Sequence, residues 1–292
     1  EQRTTMFHLA NRELRVDLLD TAAEAARLGP RYCWGGYIWQ VHDRAAGPLL
    51  TGPEWPNPTP LPFNGQGLPE SFRHRTRDGA PLTWQGNRGV ALGAGALFAD
   101  AAGGVTLETP CEWIITSDGN DALIFRTHHA AAGFACELER QIELRDRTVT
   151  SATRLTNLSD APLVLQWFAH PFWALTNGRA AVALPAGTTI PENPSFDVAT
   201  DGLLTFQRPF VAPTDSQFAL LALPSGRPLA LSLDHPQLAR VTFETNFVPA
   251  ECPVWANAHT VSVEPYLALD LAPGETRAWH VQHGFGAGLS SM

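Results

Sequence analysis

Between residues 105 and 175 the chain is a series of short alternating runs, and this periodicity constrains the fold more than any other feature. "VTLET", "CEWIITS", "ALIFRTHH", "FACELERQIEL", "TVTSATRLTNL" and "LVLQWFAHPFW" each read as a strand, separated by turn residues such as "DGND" and "LSDAP". Consecutive strands joined by short turns pair as antiparallel meanders. In "ELERQIEL" and "TVTSATRL" polar and apolar residues alternate, as in strands with one wet face. Upstream, "ELRVDLL" and "YIWQV" alternate as well, and "TAAEAARLG" between them has room for one or two helical turns. Residues 48–70 hold seven prolines, too many for a helix or a central strand, and predict a long ordered loop. After a Gly/Pro-rich stretch at 176–213 the strands resume with "FALLAL", "LALSL", "RVTFET", "TVSVEPYLALDL" and "TRAWHVQHGF". With no long amphipathic helix, short-period repeat or linker-like stretch, the expectation is a single all-β domain over residues 1–292, a large antiparallel sandwich or barrel.

Composition narrows the function classes. The net charge is −9, and all twenty basic residues are arginines. The acidic balance argues against nucleic acid and anionic membranes as partners. Absence of lysine removes Schiff-base and P-loop chemistry. Cys33, Cys111, Cys136 and Cys252 never fall in C-x-x-C spacing, so reduced thiols are expected, with neither a zinc knuckle nor a redox pair. His128 and His129 point to opposite faces of a strand and cannot share one metal ion; no metal and no cofactor are expected. No apolar run reaches membrane-spanning length, and "EQRTTMFHLA" has no signal-peptide core. A cytoplasmic placement is expected, and the missing initiator methionine keeps a periplasmic or secreted one open. Nothing in the sequence sets the oligomeric state.

Three stretches carry a family resemblance. "RLTNLSDAPLVLQWFAHPFWAL", residues 154–175, resembles the galactose mutarotase (aldose 1-epimerase) superfamily segment in which a strand ends in N-x-S and the next delivers a histidine in an H-P-F setting. "VSVEPYLALDLAPGETRAWHVQHGF", residues 261–285, is similar to its C-terminal strand pair, with a Glu, a P-G-E turn and a final strand containing Trp. "RYCWGGYIWQV" with "NGQGLPESF" and "GVALGAGAL" resembles a mutarotase-like subgroup rather than the sugar epimerases proper. The resemblance implies a β-supersandwich (galactose mutarotase-like), with His170 as catalytic acid and Glu264 as catalytic base. The superfamily's other histidine has no single match here; the candidates are His74, His128 and His129.

The implied chemistry needs such a pair. Interconverting anomers requires taking a proton from the C1 hydroxyl while protonating the ring oxygen, so that the ring opens, rotates and recloses. A glutamate is ordinarily ionised at neutral pH, and a nearby carboxylate would favour the imidazolium form of a histidine. Phe168, Phe172 and Trp173 would wall the site, and Phe168, His170 and Phe172 share one face provided the chain stays extended through Pro171. Glu70 in "GLPESF" is a candidate for sugar hydroxyls, and Arg31 and Arg88 for an acidic group on the sugar. His74 and Trp255 complete the candidate binding set, with Trp34 and Trp55 as further stacking candidates. Each has a plainer alternative: a core histidine or tryptophan, a structural ion pair, a solvated surface arginine. The expected activity is anomer interconversion of an aldose or modified sugar. A non-catalytic carbohydrate-binding protein is the alternative, and a lyase or hydrolase on the same fold the third possibility.

Overall fold

The computed structural model describes residues 6–212 and 214–288. Its backbone is a ten-stranded antiparallel sheet. In spatial order the strands are Ile114–Asp118, Ala122–Ala131, Phe134–Arg145, Thr148–Asn157, Thr276–Phe285, Val241–Thr245, Ala230–Leu233, Ala181–Ala183, Leu203–Phe206 and Phe196–Val198. The alternation read from the sequence is what commits these residues to one sheet face or the other. Along Phe134–Arg145, Cys136, Leu138, Arg140, Ile142 and Leu144 turn inward, while Glu137, Glu139, Gln141 and Glu143 keep to the wet side.

Smaller sheets cover the inner face. One has three strands, with Leu163–Ala169 between Tyr266–Leu271 and Glu70–Arg73. A second has four, in the order Trp173–Ala174, Thr260–Val263, Cys252–Asn257 and Ser216–Leu221. Tryptophans lock these layers to the large sheet: Trp167 meets Trp279 edge-on with ring centroids 5.5 Å apart, and Trp173 meets Phe243 at 5.5 Å. The resulting apolar cluster runs in sequence from Leu9 to Phe285. Each large side chain buried there contributes roughly 1.5–3 kcal/mol relative to exposure. Two further four-stranded sheets come from the first 110 residues, and between them Tyr32, Trp34, Tyr37 and Trp39 form a second core cluster.

"TAAEAARLG" yields a single helical turn, Ala25–Leu28, so no helix among the described residues is long and apolar enough to cross a membrane. The four cysteines are free. The proline-rich segment is an ordered loop, pinned by its backbone to residues 170–172. His170 N–H donates to Pro69 C=O at 2.9 Å, Phe172 N–H to Gly67 C=O at 2.8 Å, and Thr51 N–H to Phe172 C=O at 3.0 Å. Gly65 shows why glycine is needed in that loop: it sits at φ 102°, and a Cβ there would lie 2.4 Å from the Phe172 ring.

Candidate active site

The chain crosses between the three-stranded and four-stranded sheets twice, each time at a proline. Strand Leu163–Ala169 ends, His170-Pro171-Phe172 follows, and Trp173–Ala174 joins the other sheet. In the opposite direction Thr260–Val263 ends, Glu264-Pro265 follows, and Tyr266–Leu271 begins. Proline cannot donate to a ladder, so each ladder stops there. The pairing register nonetheless continues across the gap: Phe168 lies opposite Tyr266 on one side and Trp173 opposite Val261 on the other. That register sets His170 directly across from Glu264, with His170 Nε2 3.5 Å from Glu264 Oε1.

Alternation also survives the break. Phe168, His170 and Phe172 all line one cleft of about 800 Å³, together with Glu264 and Tyr266. The imidazole stacks on Phe172 with centroids 4.3 Å apart, and Tyr32 and Trp255 present their edges to it at 6.0 and 6.3 Å. Phe168 and Tyr266 stack in parallel at 4.5 Å. Ser262, two residues before Glu264 on the same face, places its Oγ 3.0 Å from His170 Nδ1. Trp173 points the other way, into the core against Phe243, and does not wall the cleft.

Burial sets the charge state of the pair. His170 and Glu264 are 6% and 5% exposed at the cleft floor. Burial pushes the Glu264 carboxyl up to about 8, against the pull of Arg31, Arg77 and Arg73. Burial, with Arg31 adding to it, holds His170 well below the ordinary histidine value. Burial thus favours the neutral form of each group, in place of the ionised glutamate and imidazolium expected from their ordinary values. At neutral pH the pair holds one proton, carried on the carboxyl side, and is neutral as a unit.

The other candidates divide. Arg31, His74, Phe172 and Trp255 line the cleft with the pair. His74 Nδ1 accepts from Trp84 Nε1–H at 3.1 Å, and burial, with Arg75 and Arg73 beside it, lowers its pKa to about 4, so it is a neutral imidazole. Glu70 is not in the cleft. It lies between the sheets, 2.6 Å from Arg140 Nη2, and accepts from Ser151 Oγ at 2.6 Å and Trp167 Nε1 at 3.1 Å. The strand Glu70–Arg73 turns that side chain inward, which a loop reading could not anticipate. Arg88 is exposed and paired with Glu108, away from the cleft. His129 is buried and accepts from Gly93 N–H at 2.9 Å, and His128 points outward. Trp34 is core and donates to Gly29 C=O; Trp55 is half-buried and not among the cleft residues. Among the described residues no three His, Cys, Asp or Glu side chains cluster as a metal site. Sequence reasoning did not single out Ser262, Tyr266, Arg73 or Arg75; the period of two on either side of Glu264 points to the first two.

Comparison with solved structures gives the fold its class. A galactose mutarotase related enzyme from Lactobacillus acidophilus aligns with TM-score 0.63 at 12% identity over 99% of both chains. A Synechocystis protein aligns with TM-score 0.61 at 16% identity, covering 98% of this chain and 97% of its own. A galactose mutarotase-like protein from Lactobacillus casei follows with TM-score 0.58 at 12% identity, over 96% of this chain and 100% of its own. The chain has the galactose mutarotase-like β-sandwich fold. No protein-family model and no curated protein matches it.

Proposed function

We propose that the protein interconverts the anomers of an aldose or modified sugar, with Glu264 and His170 exchanging the protons and no cofactor required by the chemistry. The observation that carries this reading is the facing pair at 3.5 Å on the floor of an aromatic-walled cleft. The C1 hydroxyl oxygen and the ring oxygen are bonded to one carbon, so two adjacent side chains reach both. A pair holding one proton has a donor and an acceptor ready at once. In the working form the carboxylate takes the hydroxyl proton as base and His170 gives its proton to the ring oxygen as acid. A proton shift along the Glu264–His170 contact produces that form from the resting pair. Phe168, Phe172 and Trp255 offer apolar faces for a sugar ring and keep water from the open-chain aldehyde. Residues 1–292 act as one domain in this reading, supported by a main core that draws on nearly the whole chain.

The test follows anomer exchange by NMR line broadening or polarimetry across free and charged sugars, for the native chain and Glu264→Gln. Acceleration lost in the variant is the expected result. Binding without acceleration of any sugar would instead make this a carbohydrate-binding protein on the same fold. Full rate in Glu264→Gln would overturn the assignment of the base.

A further inference from the structure

The cleft has the opposite charge to the rest of the chain. Against a net −9, three guanidinium groups, those of Arg31, Arg73 and Arg75, line it. Each is steadied by backbone carbonyls. Arg31 Nη1 donates to the carbonyls of Phe63 and Asn64 at 3.3 and 3.4 Å. Arg73 donates to those of Arg75 and Thr76 at 2.9 and 3.1 Å, and Arg75 to that of Gly79 at 3.3 Å. Carbonyls hold the side chains in place without cancelling their charge. Among the described residues none of the three has a carboxylate within ion-pair distance, whereas the neighbouring Arg77 is paired with Glu251.

Among the described residues only Glu54 and Glu264 bring carboxyl groups to the cleft, and Glu54 is hydrogen-bonded by Asn57 and Asn64. With the Glu264–His170 pair neutral as a unit, three guanidinium groups face one carboxylate. The excess positive charge is felt at the reaction centre, since Arg31 and Arg73 both act on the Glu264 carboxyl. A neutral sugar would leave this charge unanswered. Planar, carbonyl-anchored guanidinium groups suit the oxygens of an anion, which they bind in forked geometry.

We propose that the sugar taken by this cleft carries an anionic substituent, a phosphate or a carboxylate away from the anomeric carbon, gripped by Arg31, Arg73 and Arg75. The inference rests on the anomerase reading for the identity of the sugar ring, but on the arginines alone for its charge.

The experiment measures binding by calorimetry and anomer exchange by NMR for gluco-, galacto- and manno-configured aldohexoses, each as the free sugar, the 6-phosphate and the hexuronate. In at least one configuration a charged form is expected to surpass its free sugar by roughly a hundredfold in Kd or kcat/KM, with the gap shrinking as salt rises. Phosphate or uronate leading identifies which anion is meant. Arg73→Gln and, independently, the exposed-site variant Arg31→Gln should narrow the charged-to-neutral ratio by about ten- to a hundredfold. Free sugars handled as well as charged ones, or a ratio unmoved in both variants, would overturn the inference and leave anomer exchange standing. Charged sugars bound in preference but never exchanged would do the reverse. If no sugar is bound or exchanged, both fall.

Discussion

Two glutamates lie almost equally deep in this molecule, Glu70 at 2% exposure and Glu264 at 5%; burial raises the pKa of both, but their partners differ. Glu70 joins two sheets: Arg140 and Ser151 reach it from the ten-stranded sheet, and Trp167 from the three-stranded one. Arg140 in turn donates to Gly35 C=O at 3.0 Å, so the pair also fastens the N-terminal region. Among the described residues Glu264 has no arginine within ion-pair distance and its carboxyl accepts no hydrogen bond; it faces His170 at 3.5 Å. One carboxylate is surrounded by donors and closed off; the other is deprived of them and opens on a cleft. Burial raises the energy of the charged form at both, and at Glu264, where only arginines beyond ion-pair distance oppose it, the carboxyl acquires a pKa useful near neutrality.

The widest gap is expected in activity. Glu264→Gln should lower anomer exchange by roughly 10²–10⁴-fold, the usual worth of a positioned proton-transfer group, with the fold intact by circular dichroism. Glu70→Ala should do the opposite, costing about 3–5 kcal/mol in denaturant unfolding because Arg140 is left as an unpaired buried charge. A Glu70 variant of unchanged stability would end the contrast.

A second separation concerns stability against pH. The folded-state pKa of Glu264, raised to about 8 from an ordinary 4.5, means that the folded chain holds this proton more tightly than the unfolded one. Its stabilising contribution is complete below the unfolded value and is lost as pH rises through 8. Glu264→Gln removes that loss, so at pH 8 and above the variant should be more stable than the native chain by about 1–3 kcal/mol. Unfolding midpoints that stay parallel from pH 5 to 9 would contradict the raised pKa.

The same contrast explains what could be read from the sequence. The strands were legible because period-two alternation survives in a sheet with one wet face, as along Phe134–Arg145. The resemblance picked out His170 and Glu264, but the facing of residues 94 positions apart depends on a register that passes through two proline breaks, and only the folded chain fixes that. Glu70 was misread because "GLPESF" has the local composition of a loop, while the feature that decides its role, Arg140, lies in another strand. Arg73 and Arg75 escaped notice for the converse reason: an arginine in "FRHR" looks like any surface arginine until the absence of a nearby carboxylate is known.

The pH dependence of exchange should reflect the pair as a unit. With one proton as the working load, kcat/KM should fall above about pH 8 as Glu264 loses it, and fall again below the ordinary histidine range as His170 gains a second. Outside those limits the decline approaches tenfold per pH unit. A rate flat from pH 5 to 9 would detach the pair from catalysis.

Ser262 offers the finest cut. When Glu264 carries the resting proton, His170 is neutral and its Nδ1–H donates to Ser262 Oγ at 3.0 Å, leaving Nε2 to face the carboxyl. When the proton crosses to the imidazole, the same hydroxyl still accepts from Nδ1 and so supports the cationic form that must protonate the ring oxygen. Ser262 is thus a positioning residue: it sets the tautomer and eases the transfer without touching substrate. Ser262→Ala should lower kcat by about tenfold, in keeping with one hydrogen bond to a charged group, with little change in stability. It should also move the acidic limb of the profile to lower pH, because the imidazolium loses an acceptor. A role confined to packing would leave that limb where it was, whatever happened to the rate.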